Sequence, residues 1–349
     1  MNIELRKVLP YLLRPVEILS LSEIEQINKA YSSMGRNGFE LDLKKEKQSR
    51  CYASFLLSEI GCDAAYWVVV HQEYVQRNNK ILEIVKKISR DFAALGGKTL
   101  SVYENYGAIL SSGISIGCFA SGDVDFTVGE AELDLAIKVF QQNGFVADVR
   151  EDHVAASEKL VLPFHNPNAL GNGYWLNIMR KPVARDFLLN QTAYLKRLHS
   201  LQKYYLEQYK DTDVHLLKPT AMVYFNALHF ACEHHYSASP GMALCCDMDR
   251  VIRYREIDWD LLKQWSIEDK AGLRIQLALD ICKYFLKTPV PDDFWLQKSK
   301  NYLWLWRRIV DEEGGLLISQ DGKYNRLLTE LASDDKSLVL SLISRIWRK

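Results

Sequence analysis

The sequence predicts an α+β protein in which a mixed β-sheet lies between a helical N-terminal region and an all-helical C-terminal domain. Three observations carry this expectation. Residues 78–95 repeat Ile81, Ile84, Val85, Ile88 and Phe92 on one helical face. Residues 123–180 hold short β-branched and aromatic runs divided by Gly, Asn and Pro. Beyond about residue 184 the apolar spacing becomes helical and rich in aromatic side chains. The boundaries that follow are 1–95, 96–183 and 184–349.

Element by element, residues 19–31 have helical spacing behind Ser20 and Ser22, and Gly96-Gly97 ends the 78–95 helix. Residues 98–110 read as a strand leading into a short helix, before the turn Ser111-Ser112-Gly113. A strand over 123–128, a helix over 130–143 closed by Gly144, and a strand over 145–150 form a strand–helix–strand unit. Runs at 159–164 and 174–180 flank an Asn/Pro/Gly loop and predict a hairpin, with the sheet ending near residue 183. Helices are expected over 220–235, 242–254, 259–265 and 273–286, followed by a Trp/Leu-rich tail over 295–347.

Composition narrows the function classes. Lys+Arg and Asp+Glu balance at 44 each, so no global field draws the chain to nucleic acid or to an anionic membrane. No uninterrupted apolar run reaches spanning length. The opening residues carry charges inside their apolar stretch and no small-residue cleavage site, so a signal peptide is not expected. Seven cysteines without disulfide-framework spacing point to reduced core thiols and a cytoplasmic setting.

The sharpest chemical signal is Ser121-Gly122-Asp123-Val124-Asp125-Phe126-Thr127-Val128. Residues i and i+2 of a strand share a face, so Asp123 and Asp125 stand side by side. Paired carboxylates with hard oxygen ligands suit Mg2+, which completes its shell with phosphate oxygens. A solvated strand end is the plain alternative for an isolated Asp-x-Asp. The Ser111-Ser112-Gly113 turn about ten residues upstream favours the metal reading, since flexible backbone N–H groups and hydroxyls cradle phosphates.

This order of a small-residue turn, a spacer, Asp-x-Asp on a strand, a helix and further strands resembles the nucleotidyltransferase fold of polymerase-β-like enzymes. More narrowly, the chain is similar to an uncharacterised bacterial nucleotidyltransferase family with helical N- and C-terminal parts. Tyr106-Gly107-Ala108-Ile109-Leu110 stands where that family has Lys-Gly-Ala-x-Leu, so the lysine is missing. His215-Leu216-Leu217-Lys218-Pro219, His229, Asp247 with Val251-Ile252, Ile257-Asp258-Trp259 and Pro289-Val290-Pro291 follow in the family's order. The resemblance spans roughly residues 78–295.

It implies a Mg2+-dependent enzyme that takes an NTP, ATP in the first instance, and moves NMP onto an acceptor: a small molecule, glycan, peptide or protein. Asp123 and Asp125 would hold the metal, Ser111, Ser112 and Gly113 the phosphates, and His229 and Asp247 would face the cleft, bonding each other or the substrate. Two departures bear on activity. An arginine expected just before Asp-x-Asp is replaced by Ile116-Gly117-Cys118-Phe119-Ala120, and the strand position for a third carboxylate carries Asn177. An amide is a poor base. Turnover would then be slow or borrow Asp148 or Asp152, and a degenerate nucleotide-binding or regulatory protein is the alternative.

Other clusters carry less. His229 and Glu233 share a helical face but match no zinc spacing, and Cys245-Cys246 read as core. Trp295, Trp304, Trp306 and Trp347 mixed with Lys298, Lys300, Arg307, Arg308, Arg345 and Lys349 would suit an RNA-acting transferase. The neutral net charge speaks against nucleic acid as a partner.

Overall fold

Period-two alternation builds the centre of the molecule. The computed structural model describes residues 3–45, 47–119, 122–147, 161–179, 197, 200, 201, 203–232, 234, 236, 241–294 and 300–310. Strand β2 (Asp123–Thr127) turns Val124 and Phe126, both fully enclosed, to one side and Asp123 and Asp125, both half-buried, to the other. It lies between β1 (Ser101–Tyr103), antiparallel, and β5 (Tyr174–Met179), parallel. With β3 (Val146–Ala147), β4 (Val161–Asn166), β6 (Leu206–Gln208) and β7 (His215–Leu217), these form one mixed sheet of order β3-β4-β5-β2-β1-β7-β6.

The apolar face of the sheet is covered by helix α6 (Leu133–Gln142). Phe140 of α6 meets Phe126 at 5.3 Å and Phe164 of β4 at 5.1 Å, both edge-on. Such pairs add about 0.5–1.5 kcal/mol each beyond their burial.

Helices α1 (Ile3–Leu12), α2 (Leu21–Lys45), α3 (Lys47–Glu59) and α4 (Ala64–Ala94) precede the sheet, as expected, although α4 runs longer than the periodicity alone suggested. Its buried stripe is Trp67, Val70, His71, Asn78, Ile81, Leu82, Val85, Ile88, Ser89 and Phe92. The helix stops where Gly96 turns left-handed (φ 89°) and Gly97 N donates to Phe92 O at 3.0 Å. On the C-terminal side come α7 (Pro219–Cys232), α8 (Gly241–Tyr254), α9 (Trp259–Glu268), α10 (Gly272–Leu286) and α11 (Lys300–Ile309). The N-terminal helices pack on these: Arg14 Nε donates to Phe285 O, and Arg250 Nη2 to Leu13 O. Among the described residues no helix is long and apolar enough to cross a membrane.

The expectation that the sheet ends near residue 183 is overturned, and with it the all-helical description of 184–349. β6 and β7 form a hairpin closed by Tyr209 N donating to Val214 O, and β7 runs parallel to β1 with Ser101 opposite His215. Three-residue strands are too short to show alternation, and their pairing with β1 is a long-range contact. The expected strand–helix–strand unit forms, but β3 lies at the far edge of the sheet rather than beside β2. Residues 148–150, 159, 160, 180, 295–299 and the tail from 311 onward, with Trp295, Lys298, Arg345, Trp347 and Lys349 among them, lie outside the described residues.

Helix α5 (Glu104–Ser112) is wedged between β1 and the C-terminal helices, packing on α7 and α8. Gly107 makes this possible, because a Cβ there would lie 2.9 Å from Val102 O and 3.0 Å from Met222 Cε. Gly107→Ala is expected to destabilise the fold by about 1–3 kcal/mol through overpacking, despite the better helix propensity of alanine. Urea denaturation of the two proteins measures the difference, and an unchanged midpoint would show that α5 has room to move.

Candidate functional site

The polar face of β2 gathers a cluster of acids. Asp125 is in register with Asn177 on β5 and with Tyr103 on β1, and Asp123 with Trp175. Asn177 Nδ2 donates to Asp123 Oδ2 at 2.8 Å and to Asp125 Oδ1 at 2.9 Å, so one amide group bridges both carboxylates. The three residues singled out for chemistry are therefore brought together.

A fourth member escaped the sequence reading. Glu104, the residue at which β1 passes into α5, is 6% exposed and holds a left-handed backbone (φ 53°) that only a few per cent of non-glycine residues adopt. Its Oε1 lies 3.3 Å from His229 Nδ1, and His229 Nε2 lies 2.9 Å from His234 Nε2. The available signal was a charged residue at the end of a strand pairing with the Asp-x-Asp strand, and that pairing is not local.

Burial pushes the Asp125 carboxyl well above the usual carboxylate range, and the charges of Glu104 and Asp123 push it the same way. The Asn177 hydrogen bond and His229 pull it back only in part. Bringing the charged forms of these carboxyls together is costly, and a cation would lower that cost. Among the described residues no group of three or more His, Cys, Asp and Glu is arranged to hold a metal. Asp123 and Asp125 offer two carboxylates, the number that Mg2+ takes when phosphate and water complete its shell. Of the histidine run, Glu233 and His235 lie outside the described residues.

His229 reaches the cluster because α7 presents a stripe toward β1 and α5. Met222 faces Gly107, Phe225 meets Tyr103 at 5.7 Å, and His229 meets Glu104. The expected link between His229 and Asp247 is not what the structure builds. Asp247, on α8 and 2% exposed, instead accepts a hydrogen bond from Tyr52 Oη at 2.7 Å, beneath Arg250 stacked on the Tyr52 ring. Burial raises its carboxyl to about 7, against the pull of Tyr52 and Arg250. Asp247 is a core acid that ties α3 to α8.

Ser111, Ser112 and Gly113, expected as a turn that cradles phosphate, take a different local structure. These residues are not a free turn but the last turn of α5, with Gly113 as its left-handed cap (φ 72°). A helix C-terminus presents carbonyls and a partial negative charge, which repels phosphate. Their groups are engaged: Ser112 Oγ donates to Ile109 O, and Arg255 Nη1 donates to Ser111 O. The positive end of the same helix is the one that begins beside Asp125. A cleft of about 770 Å3 opens elsewhere, lined among others by Tyr205, Lys218, Trp259 and Phe294, and touches none of the acid cluster.

No family model, curated protein or solved structure matches the chain. Asp148 and Asp152, expected as stand-in bases, lie outside the described residues, as does Ser121.

Two titration experiments follow from this geometry. Because folding raises the Asp125 pKa, its charged form opposes the fold, so Asp125→Asn is expected to raise the metal-free melting temperature by a few degrees at pH 8. The substituted amide keeps a carbonyl oxygen to accept from Asn177, and a lowered melting temperature would show the carboxylate to be stabilising. For Asp247, the folded chain holds a proton between its ordinary value of 3.8 and about 7 that the unfolded chain has lost. Stability therefore declines as pH rises across that window and levels above it. The advantage of Asp247→Asn over the parent should grow from pH 5 to pH 7, reaching on the order of a few kcal/mol, and stay constant to pH 8. A pH-independent difference in chemical denaturation would contradict this.

Proposed function

We propose that this chain is a Mg2+-dependent nucleotidyltransferase of the polymerase-β-like fold that transfers NMP from an NTP to a hydroxyl- or amine-bearing acceptor. The observation that carries the reading is the pair Asp123 and Asp125 on one face of β2, bridged by Asn177 and joined by Glu104 in a half-enclosed cluster under α7. The central β5-β2-β1 arrangement, with the acid pair on the middle strand, supports the fold assignment. All seven cysteines are buried thiols, which supports a cytoplasmic setting.

Asp123 and Asp125 would hold the metal, which when bound neutralises and aligns the triphosphate. The work of the chain is positioning. β2 and β5 fix the carboxylates through backbone pairing and so hold them in place without a ligand's help. Attack by the acceptor oxygen or nitrogen forms one bond to the α-phosphorus as the bond to the bridging oxygen breaks and pyrophosphate departs. The acceptor's proton must move to a nearby carboxylate. Asn177 cannot take it, whereas Glu104 places a third carboxylate beside the pair from β1 instead of β5. α7, through Phe225 and His229, covers the β1 side of the polar face and would be the element that selects the acceptor.

One observation favours a second reading. The amide of Asn177 donates to both metal-binding carboxylates, and a protein keeping nucleotide affinity without turnover needs no more than this. Incubation with each α-labelled NTP, Mg2+ and cell-extract fractions separates the two. Label transfer with pyrophosphate release that disappears in Asp123→Ala/Asp125→Ala supports the transferase. Mg2+-dependent NTP binding without transfer supports the binding protein, and no binding at all removes both. Asn177→Asp is expected to tighten Mg2+ binding by about tenfold while lowering the metal-free melting temperature, since it adds a charge to an already repulsive cluster. Equilibrium titration with Mg2+ and a thermal melt read the two effects.

A further inference from the structure

We propose that Trp175, backed by His165, is the platform on which the base of the nucleotide stacks, making a nucleobase-bearing ligand rather than a bare polyphosphate the substrate class of this site. The inference rests on the nucleotide reading above and adds to it the group that holds the non-reacting end of the ligand. β4 and β5 pair antiparallel with His165 opposite Trp175, and their rings stack at 4.4 Å with 28° between planes. The connection between the strands is shaped to allow this. Leu170, Gly171 and Gly173 all take positive φ, and a Cβ on Gly173 would stand 2.7 Å from His165 Nε2. Only glycine lets the imidazole lie where it does.

The position of the pair is what points to a ligand. On the same face, the next strand over places Asp123 in register with Trp175, so the indole stands one strand spacing, about 4.8 Å of backbone, from the metal-binding carboxylate. The aromatic side chains that build the core, Phe126, Phe140 and Phe164, are on the opposite face and fully enclosed. Trp175 and His165 are instead only half-buried, among the polar groups of the acid cluster, where a large apolar ring gains less from burial. With one indole face taken by His165, the other is left to a planar base whose attached phosphates would reach the metal. Because stacking reads the face of a base and not its hydrogen-bonding edge, the site is expected to accept all four bases, purines over pyrimidines.

The test is calorimetric titration of the full chain with Mg·ATP and, separately, with Mg·tripolyphosphate, which has the phosphates but no base. In the parent protein ATP should bind more tightly than tripolyphosphate, with quenching of tryptophan emission. Trp175→Ala is expected to weaken ATP on the order of tenfold while leaving tripolyphosphate unchanged, and Trp175→Phe to recover most of the loss without the quench. His165→Ala, which removes only the backing ring, should fall between. Equal affinity of the parent for ATP and tripolyphosphate, unaltered ATP affinity in Trp175→Ala, or parallel loss of both ligands would each overturn the platform while leaving nucleotidyl chemistry standing. Failure of the parent to bind either ligand with Mg2+ would instead remove the nucleotidyltransferase reading itself, and the platform with it.

Discussion

Strand β2 has to satisfy two opposed demands at once, and the rest of the sheet is arranged around that constraint. Val124 and Phe126 must reach the apolar layer against α6, while Asp123 and Asp125, one residue out of phase, must stay where charge is tolerable. A strand meets both because its side chains alternate, and fully burying a side chain such as Phe126 contributes about 1.5–3 kcal/mol. Those contacts hold the backbone register that keeps two carboxylates adjacent. A one-residue slip would exchange the faces and put both acids into the core.

The enclosed charge sets the character of the neighbours. Asn177 contributes donors without adding a third negative group from β5, and Glu104 contributes a charge from β1, at a strained backbone position. His229 lies against Glu104 and is itself tied to His234, so the acid cluster is bounded by groups able to carry positive charge. Burial first, and then the charges of Glu104 and Asp123, hold the Asp125 carboxyl above its ordinary range.

The helices act mainly by fixing where this face can be approached. Gly107 lets α5 lie against β1 and Met222, which sets its positive end beside Asp125 and its negative end, Ser111 to Gly113, away from it. Tyr52 and Asp247 join the N-terminal helices to α8 in a hydrogen bond closed off from solvent. The N-terminal region thus braces the C-terminal helices, and its Arg77 reaches the Tyr174 ring on β5.

What the sequence determined by itself was local. The α+β class, the helices from α4 through α10, the β4–β5 hairpin and the shared face of Asp123 and Asp125 all follow from periodicities of 3.6 and 2 within a single segment. Asn177 could be aligned with the pair because β5 is also a recognisable strand. What only the tertiary structure decided was every feature that depends on a distant partner. β6 and β7 exist as strands because β1 is there to pair with them. Ser111, Ser112 and Gly113 look like a phosphate turn until α5 claims them as its C-terminus, and Asp247 looks like a partner for His229 until Tyr52, 195 residues away, takes it. Glu104 carries no local mark of function, and becomes part of the site only because β1 lies against β2 and α7 brings His229 to meet it.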